Sequence, residues 1–232
     1  MMVKSMGSKK NIISQDSMMQ ALDWTYNKTI EGIPGQKSID ELVDSYLKKY
    51  DAEKAIDKLI ITQVEKATTS GFITGFGGAI TLPVTIPANI TSVMYVQMRM
   101  IAAIAKIRGY DLQDDQVQTF VYATLTGTTV FDIAKRTGIT IANKTGASLL
   151  KKLPGTILTK INQAVGFRLV TKFGTKGAVN LWKMVPVAGA VVGATIDFGS
   201  TKGIGMLAKK TFKPDGIDIG DGNIVELDNN LF

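Results

Sequence analysis

The chain of 232 residues contains no cysteine and no histidine. Without cysteine it can form no disulfide, no thiolate nucleophile and no cysteine metal site. Without histidine it lacks the commonest general base and the commonest metal ligand of proteins. Ser-His-Asp and Cys-His catalysis are therefore excluded, and any enzyme would have to use Asp, Glu, Lys or Tyr. We expect a protein that is not an enzyme and that needs no metal or cofactor.

Acidic residues are missing from a long part of the C-terminal half. Residues 133–196 contain ten Lys or Arg and no Asp or Glu. The net charge is −1 for residues 1–132, +13 for residues 133–214 and −5 for residues 215–232. This positive block predicts an anionic partner, which is a lipid surface, a nucleic acid or an acidic protein.

A membrane surface is the partner that the block favours over nucleic acid. Nucleic-acid binding would need aromatic residues interleaved with basic ones, and the few aromatics here look like core residues: Phe167, Phe173, Trp182, Phe198 and Phe212. Membrane binding needs cations beside apolar helices. The lipid-facing candidates are Lys151, Lys152, Lys172, Lys176, Trp182, Lys183, Lys202, Lys209 and Lys210. A solvated face of a soluble helical bundle is the plain alternative.

Charge is also absent from residues 67–98, a run of 32 residues. One unbroken helix of that length would measure about 48 Å and would more than span a bilayer. Pro83 and Pro87 interrupt it, and Gly71, Gly75, Gly77 and Gly78 weaken its first half. The pattern predicts a short apolar helix, a turn, and a long helix from about Ile86 to Arg108 that ends at Gly109. Arg99 favours a helix half-buried in protein over a free membrane span.

A second apolar segment covers residues 184–196, which is too short to cross a bilayer. It predicts a second hairpin whose returning helix runs from Asp197 to Phe212. The glycine pairs Gly71 with Gly75 and Gly189 with Gly193 indicate close helix packing. They are not nucleotide-binding loops, because the Lys-Ser/Thr pair of a phosphate-binding loop is missing.

The N-terminal third has the pattern of soluble amphipathic helices. The first helix starts near Asp16 or Ser17 and has Met18, Leu22, Tyr26 and Ile30 on one face. Ser38 and Glu41 form a capping box for the second helix, and Asp51 can cap a third. The second helix places Ile39, Leu42, Val43, Tyr46 and Leu47 on one face. Further helices are predicted at 113–126 and 128–136, and shorter ones follow, separated at Gly138, Gly146, Pro154, Gly166 and Gly174. The acidic end either forms a small β-hairpin or is disordered.

Several lone polar residues lie among apolar neighbours: Asn89, Gln97, Arg99, Asp132 and Asp197. We expect them to form a buried hydrogen-bonded network, with Arg99 paired to Asp132 or Asp197. The alternative is a polar floor in a lipid-binding cavity. The spacing of Asp215, Asp218 and Asp221 fails the EF-hand pattern, so a solvated tail is expected instead of a calcium site.

Longer stretches resemble the bacterial EcsC family. They are ALDW-x-Y…GIPG near residues 21–35, TSGFITGFGGAITLPVTIPANI, Gln97-Met-Arg99-Met followed by Gly109-Tyr-Asp111, PGTILTKINQAVGFRLVTKFGTKGAVNLWKMVPVAGAVVGATID, and TKGIGMLAKKTF. The resemblance covers roughly residues 18–213. The residues that belong to the family pattern are Gly71, Gly75, Gly77, Gly78, Pro83, Pro87, Gln97, Arg99, Gly109, Asp111, Pro186, Gly189, Gly193, Asp197 and Gly205. Part of the pattern also resembles a helical membrane-associated domain of some bacterial GTPases.

The resemblance implies a membrane link but provides no catalytic residue. Because the family is named after a gene that accompanies an ABC transporter, it implies a role accessory to transport or secretion, with a membrane transporter as a partner. We expect an all-α protein: a loose arm over residues 1–15, one helical domain over 16–213 built around hairpins at 71–98 and 184–205, and an acidic tail over 214–232. Its first residues lack the apolar core of a secretory signal.

The leading hypothesis is a non-enzymatic protein that binds anionic lipid at the inner face of the cell membrane. The alternative is a soluble carrier or sensor of a hydrophobic ligand, held in a cavity between the hairpins.

Overall fold

The structure, a computed structural model, describes residues 13–68, 86–139, 153–173, 201–221 and 224–225. These ranges contain eight helices: α1 Gln15–Glu31, α2 Ile39–Leu47, α3 Ala52–Thr68, α4 Ala88–Ile107, α5 Asp115–Leu125, α6 Val130–Thr137, α7 Gly155–Phe173 and α8 Thr201–Thr211. Three short strands follow: β1 Phe212–Lys213, β2 Gly216–Asp218 and β3 Ile224–Val225. The prediction of an all-α domain is confirmed. The predicted hairpins lie largely outside the described residues.

The second and third helices begin at the residues that the capping chemistry predicts. Helix α1 begins at Gln15, after the N-cap Ser14 and slightly before the predicted start. Ser38 Oγ accepts from the Glu41 backbone N–H, and the Glu41 carboxylate accepts from the Ser38 N–H at 2.9 Å, so the capping box is complete. Asp51 Oδ1 accepts from the Lys54 N–H at 2.9 Å. These bonds satisfy backbone donors that a helix N-terminus leaves free.

Helix α4 forms the centre of the bundle, and it contacts α1, α2, α3, α5 and α8. Among the described helices it alone has the length and composition of a membrane span, yet 83% of residues 90–107 are buried inside the protein. The prediction of a half-buried helix was therefore wrong in degree, because neighbours cover α4 on nearly every face. Gly109 follows at φ +87°, a conformation that favours glycine.

The directions of α3, α4 and α8 follow from their contacts. Arg108, next after α4, forms an ion pair with Glu53 in the first turn of α3, so α3 and α4 are antiparallel. Helix α8 runs parallel to α4, because Thr201 at its start bonds Gln97 and Phe212 beyond its end packs on the Tyr110 ring. The end of α3 and the beginning of α4 thus lie at one end of the bundle, which we call the upper end. Helix α8 begins beside Gln97, near the middle of α4, and runs away from that end.

Helices α1 and α7 also run toward the upper end. Thr29, late in α1, accepts from Arg99 in the middle of α4, whereas the earlier Tyr26 hydroxyl donates to Leu112 beyond the end of α4. Helix α7 is parallel to α1, since Gln15 bonds the carbonyl of Gln163 at 2.9 Å and Met19 faces Gly166. Residues 69–85 therefore connect two helices at the upper end, and residues 174–200 follow a helix directed toward it.

The C-terminal strands pack against the helices. Strand β2 pairs antiparallel with both β1 and β3, and Phe212, Ile217 and Ile219 are buried. The Phe131 N–H donates to the Ile219 carbonyl at 2.9 Å, which attaches this sheet to the start of α6. A small β-hairpin is thus confirmed. Phe212 belongs to a strand and not to the preceding helix.

Two sequence predictions were wrong in detail. Gly166 does not separate two helices, because α7 continues through it and the absent side chain makes room for Met19. Leu47 does not lie on the inner face of α2, since it is the last residue of that helix and is 42% exposed.

Gly205 in α8 gives a direct test of helix packing. A Cβ at this position would lie 2.9 Å from Ile60 Cγ1 and 3.0 Å from Met100 Sδ. Ile60 is β-branched and cannot turn aside easily, so Gly205→Ala should lower the free energy of unfolding by about 1–3 kcal/mol. Urea denaturation measures the change. Gly155→Ala is the matched control, because a Cβ there meets nothing within 4 Å. Equal stability of the two variants would contradict the close packing of α8.

Candidate functional site

The structure describes four of the predicted lipid-facing residues. Lys202 and Lys210 are exposed on α8, whereas Lys209 is partly buried against α3. Lys172 on α7 donates to the Leu125 carbonyl at 3.3 Å and lies over the Phe173 ring. The other predicted residues of this set lie outside the described residues: Lys151, Lys152, Lys176, Trp182 and Lys183.

Lys209 belongs to an ion-pair cluster and is not simply an outward cation. Its Nζ lies 2.6 Å from Asp57 Oδ1 and 3.2 Å from Glu53 Oε2, and Glu53 also pairs with the buried Arg108. The hydrogen bond from Arg108 lowers the pKa of Glu53, and the hydrogen bond to Asp57 raises the pKa of Lys209. The cluster therefore stabilises the fold at neutral pH. It weakens when acid protonates Glu53 or when strong alkali neutralises Lys209.

The outer face of α7 combines a large apolar side chain with cations. Phe167 is 66% exposed, so the prediction that it is a core residue was wrong. Lys160, Gln163 and Thr171 are exposed at helical spacing along the same face. The opposite face holds the buried positions Leu158, Ile161, Val165, Leu169 and Phe173. That period was visible in the sequence and could have placed Phe167 on the surface.

Positive charge accumulates where α7 meets α6. Arg168 on α7 is half-buried, and burial lowers its pKa. Arg136 on α6 lowers the pKa of Arg168 further, while Asp132 opposes this change. Two guanidinium groups are therefore close enough to repel each other. Helix α7 itself contains no acidic residue.

Arg99 is buried within α4 without a carboxylate partner among the described residues. It is 4% exposed, and its guanidinium donates to the carbonyls of Thr29, Lys37 and Ser38 and to the Tyr95 hydroxyl. The predicted pair with Asp132 does not form, because Asp132 is exposed and bonds Thr129 at the start of α6. Carbonyl dipoles, including one at the C-terminal turn of α1, thus replace an acidic partner.

A polar layer crosses the apolar contact of α3, α4 and α8. Gln97 Nε2 donates to Thr201 Oγ1 at 3.3 Å. Gly205 of α8 faces Ile60 of α3. Because Gln63 and Thr201 each lie about one helical turn nearer the upper end than these two residues, they are at a similar level in the bundle. The side chains of Gln63 and Gln97 are buried, and Gln63 Nε2 and Gln97 Oε1 have no hydrogen-bond partner in the described part of the chain. Within the described part of the chain, Gln97, Arg99 and Asp132 form no hydrogen bonds with one another, so the predicted network among them is not formed.

The remaining family-pattern residues divide between turns and undescribed segments. Asp111 Oδ1 accepts from the Gln113 N–H at 2.8 Å and shapes the turn after Gly109. Pro87 lies at the N-cap of α4, one position earlier than the first-turn position that suits proline. Gly71, Gly75, Gly77, Gly78, Pro83, Pro186, Gly189, Gly193 and Asp197 lie outside the described residues. The side chain of Asn89 is also not described.

Acidic residues of the tail have structural partners. Asp218 is buried, pairs with Lys213 at 3.1 Å and accepts from the Gly220 N–H at 2.8 Å. Across the described ranges no group of three or more acidic residues could hold a metal ion. The Asp215–Asp221 stretch thus includes a fixed turn that supports the sheet.

The arrangement is that of a helical bundle with one largely buried central helix and a basic outer helix. The chain belongs to the EcsC protein family, whose model matches residues 1–214. The resemblance seen in the sequence is thereby confirmed, and the match also includes the N-terminal residues. No curated protein and no solved structure matches the chain.

Replacing Arg99 tests whether its carbonyl contacts stabilise the bundle. Arg99→Met keeps a long apolar stem but leaves buried carbonyls without donors, so it should lower the free energy of unfolding by about 2–4 kcal/mol. Lys58→Met removes an exposed cation and should change stability by less than about 0.5 kcal/mol. Thermal and urea unfolding measure both. Equal losses would show that the buried contacts of Arg99 contribute little.

Proposed function

We propose that this EcsC protein is a non-enzymatic peripheral membrane protein that binds anionic lipid at the cytoplasmic face of the membrane. The observation that supports it most is the coincidence of the basic block without acidic residues, 133–196, with the apolar segments at 67–98 and 184–196. Residues 69–85 connect α3 to α4, and residues 174–200 connect α7 to α8.

The basic block would supply the electrostatic part of this attachment. Each Lys or Arg near an anionic leaflet contributes about 1 kcal/mol, so four or five would give about 4–5 kcal/mol. That energy corresponds to reversible recruitment. Firm binding requires apolar side chains to enter the bilayer as well. A role beside a membrane transporter is the cellular setting that the family resemblance implies.

Vesicle co-sedimentation tests the proposal. The protein should pellet with vesicles of phosphatidylglycerol and phosphatidylcholine in equal parts, and should remain in the supernatant with phosphatidylcholine alone. Raising the salt from about 0.1 M to 1 M shortens the screening length from about 10 Å to 3 Å and should release most of the protein. Equal binding to both vesicle types would contradict the electrostatic part, and no binding to either would overturn the proposal.

The polar layer favours a soluble carrier or sensor as the second candidate function. Gln63 and Gln97 place unpaired polar atoms inside the contact of α3 and α4. Such atoms suit the polar head of a fatty acid or similar amphiphile, whose chain would lie among apolar side chains.

Native mass spectrometry of the purified protein tests the second candidate. A carrier should retain an amphiphile, and Gln63→Met should reduce its occupancy because the Nε2 donor is lost. Gln113→Met, at an exposed position, is the matched control and should retain the ligand. A ligand-free wild-type spectrum under gentle ionisation would count against a carrier.

A further inference from the structure

We propose that the outer face of α7 lies along the anionic bilayer surface, with the Phe167 ring inserted among the lipid head groups and upper acyl chains. This inference rests on the proposed membrane function and assigns its contact surface. The contact face consists of Lys160, Gln163, Phe167 and Thr171, flanked by Arg168 and Lys172.

Solvent exposure first selects this face. Four large hydrophobic residues in the described ranges are exposed, and Phe167 is the most exposed at 66%, against 51% for Ile61, 42% for Leu47 and 40% for Met206. A phenyl ring has no polar atom that could form a hydrogen bond with water, so its contact with water is unfavourable. An aromatic ring exposed on the surface of a helix beside basic residues is typical of a membrane-interface anchor.

Helical spacing then makes the face continuous. Positions 160, 163, 167 and 171 are separated by three or four residues, so these exposed side chains form one row along the helix. The inner side of α7 packs on α1, α5 and α6, which fixes the orientation of the row. The face is therefore a rigid surface, and a flat partner could contact its full length.

Charge selects an anionic bilayer as the occupant. Lys160, Arg168 and Lys172 lie on α7, and Arg136 approaches Arg168 from α6. Asp132 is the acidic group that bears on Arg168, and it also accepts a hydrogen bond from Thr129. A second copy of the same face would bring like charges together. A nucleic acid would be expected to meet several stacking rings, whereas this face presents a single one.

Chain connectivity agrees with this orientation. Phe173 ends α7, and Lys176, Trp182 and Lys183 follow within ten residues in sequence. Basic residues with an aromatic at an apolar boundary are the composition expected near a bilayer interface. The surface of α7 and the segment after it can thus meet the same membrane.

The absence of native cysteine allows a clean positional test. Phe167→Cys and Ile61→Cys are each labelled with an environment-sensitive nitrobenzoxadiazole dye. Ile61 is the control because it is also exposed but lies on α3, which packs against α2, α4 and α8, away from α7. With the phosphatidylglycerol vesicles, the dye at position 167 should shift to the blue and be quenched by spin-labelled lipid. The dye at position 61 should do neither.

Affinity measurements with unlabelled variants complete the test. Phe167→Ser should weaken vesicle binding about tenfold, because the ring no longer enters the apolar region, and Phe167→Leu should restore most of it. Ile61→Ser should change binding less than about twofold. Circular dichroism verifies that each variant is folded, which is expected at exposed positions.

The experiments distinguish an error in the contact face from an error in the proposed membrane function. If the protein pellets with anionic vesicles but the dye at position 167 stays in water, the contact face is wrong and the membrane function stands. If the dye at position 61 responds instead, the membrane meets the α3 side. If no variant pellets, both the function and the face are overturned.

Discussion

The burial of α4 is the constraint on which the rest of the bundle depends. Five other helices contact it, so its polar groups must be satisfied inside the protein. Arg99 shows how this is achieved. Its guanidinium binds carbonyls of α1 and of the α1–α2 connection, which fixes those two elements relative to the central helix. A cation in this position therefore organises the packing and does not signal exposure to lipid.

Close backbone approach is the second requirement of the packing. Gly205 lets α8 approach Ile60 and Met100, and Gly166 lets α7 approach Met19 of α1. The physical consequence differs between the two sites. A branched side chain faces Gly205, whereas the flexible end of a methionine faces Gly166 and can move aside. The glycine content of the described helices thus reflects tight contacts in at least two places.

Much of the helical fold could be predicted from local chemistry. The capping residues Ser38 and Asp51 and the period of α1 depend only on near neighbours, and these predictions are confirmed. Contacts between residues far apart in the sequence could not be predicted in this way. The ion pair of Lys209 with Asp57 joins residues 152 apart, and nothing in the sequence indicates that α8 packs on α3. The exposure of Phe167 follows from the period of α7, whereas residue type alone favours a buried position for a phenylalanine.

The order of packing partners along the chain has a consequence for folding. Helix α1 meets α7 through residues 148 apart, and α3 meets α8 through residues 152 apart. Helices α1 and α3 can pack on α4 early, but they acquire α7 and α8 as neighbours only after most of the polypeptide has been synthesised. Contact order of this kind slows folding and leaves apolar stripes uncovered meanwhile. A nascent chain of this protein should depend on chaperone protection until α7 and α8 have left the ribosome.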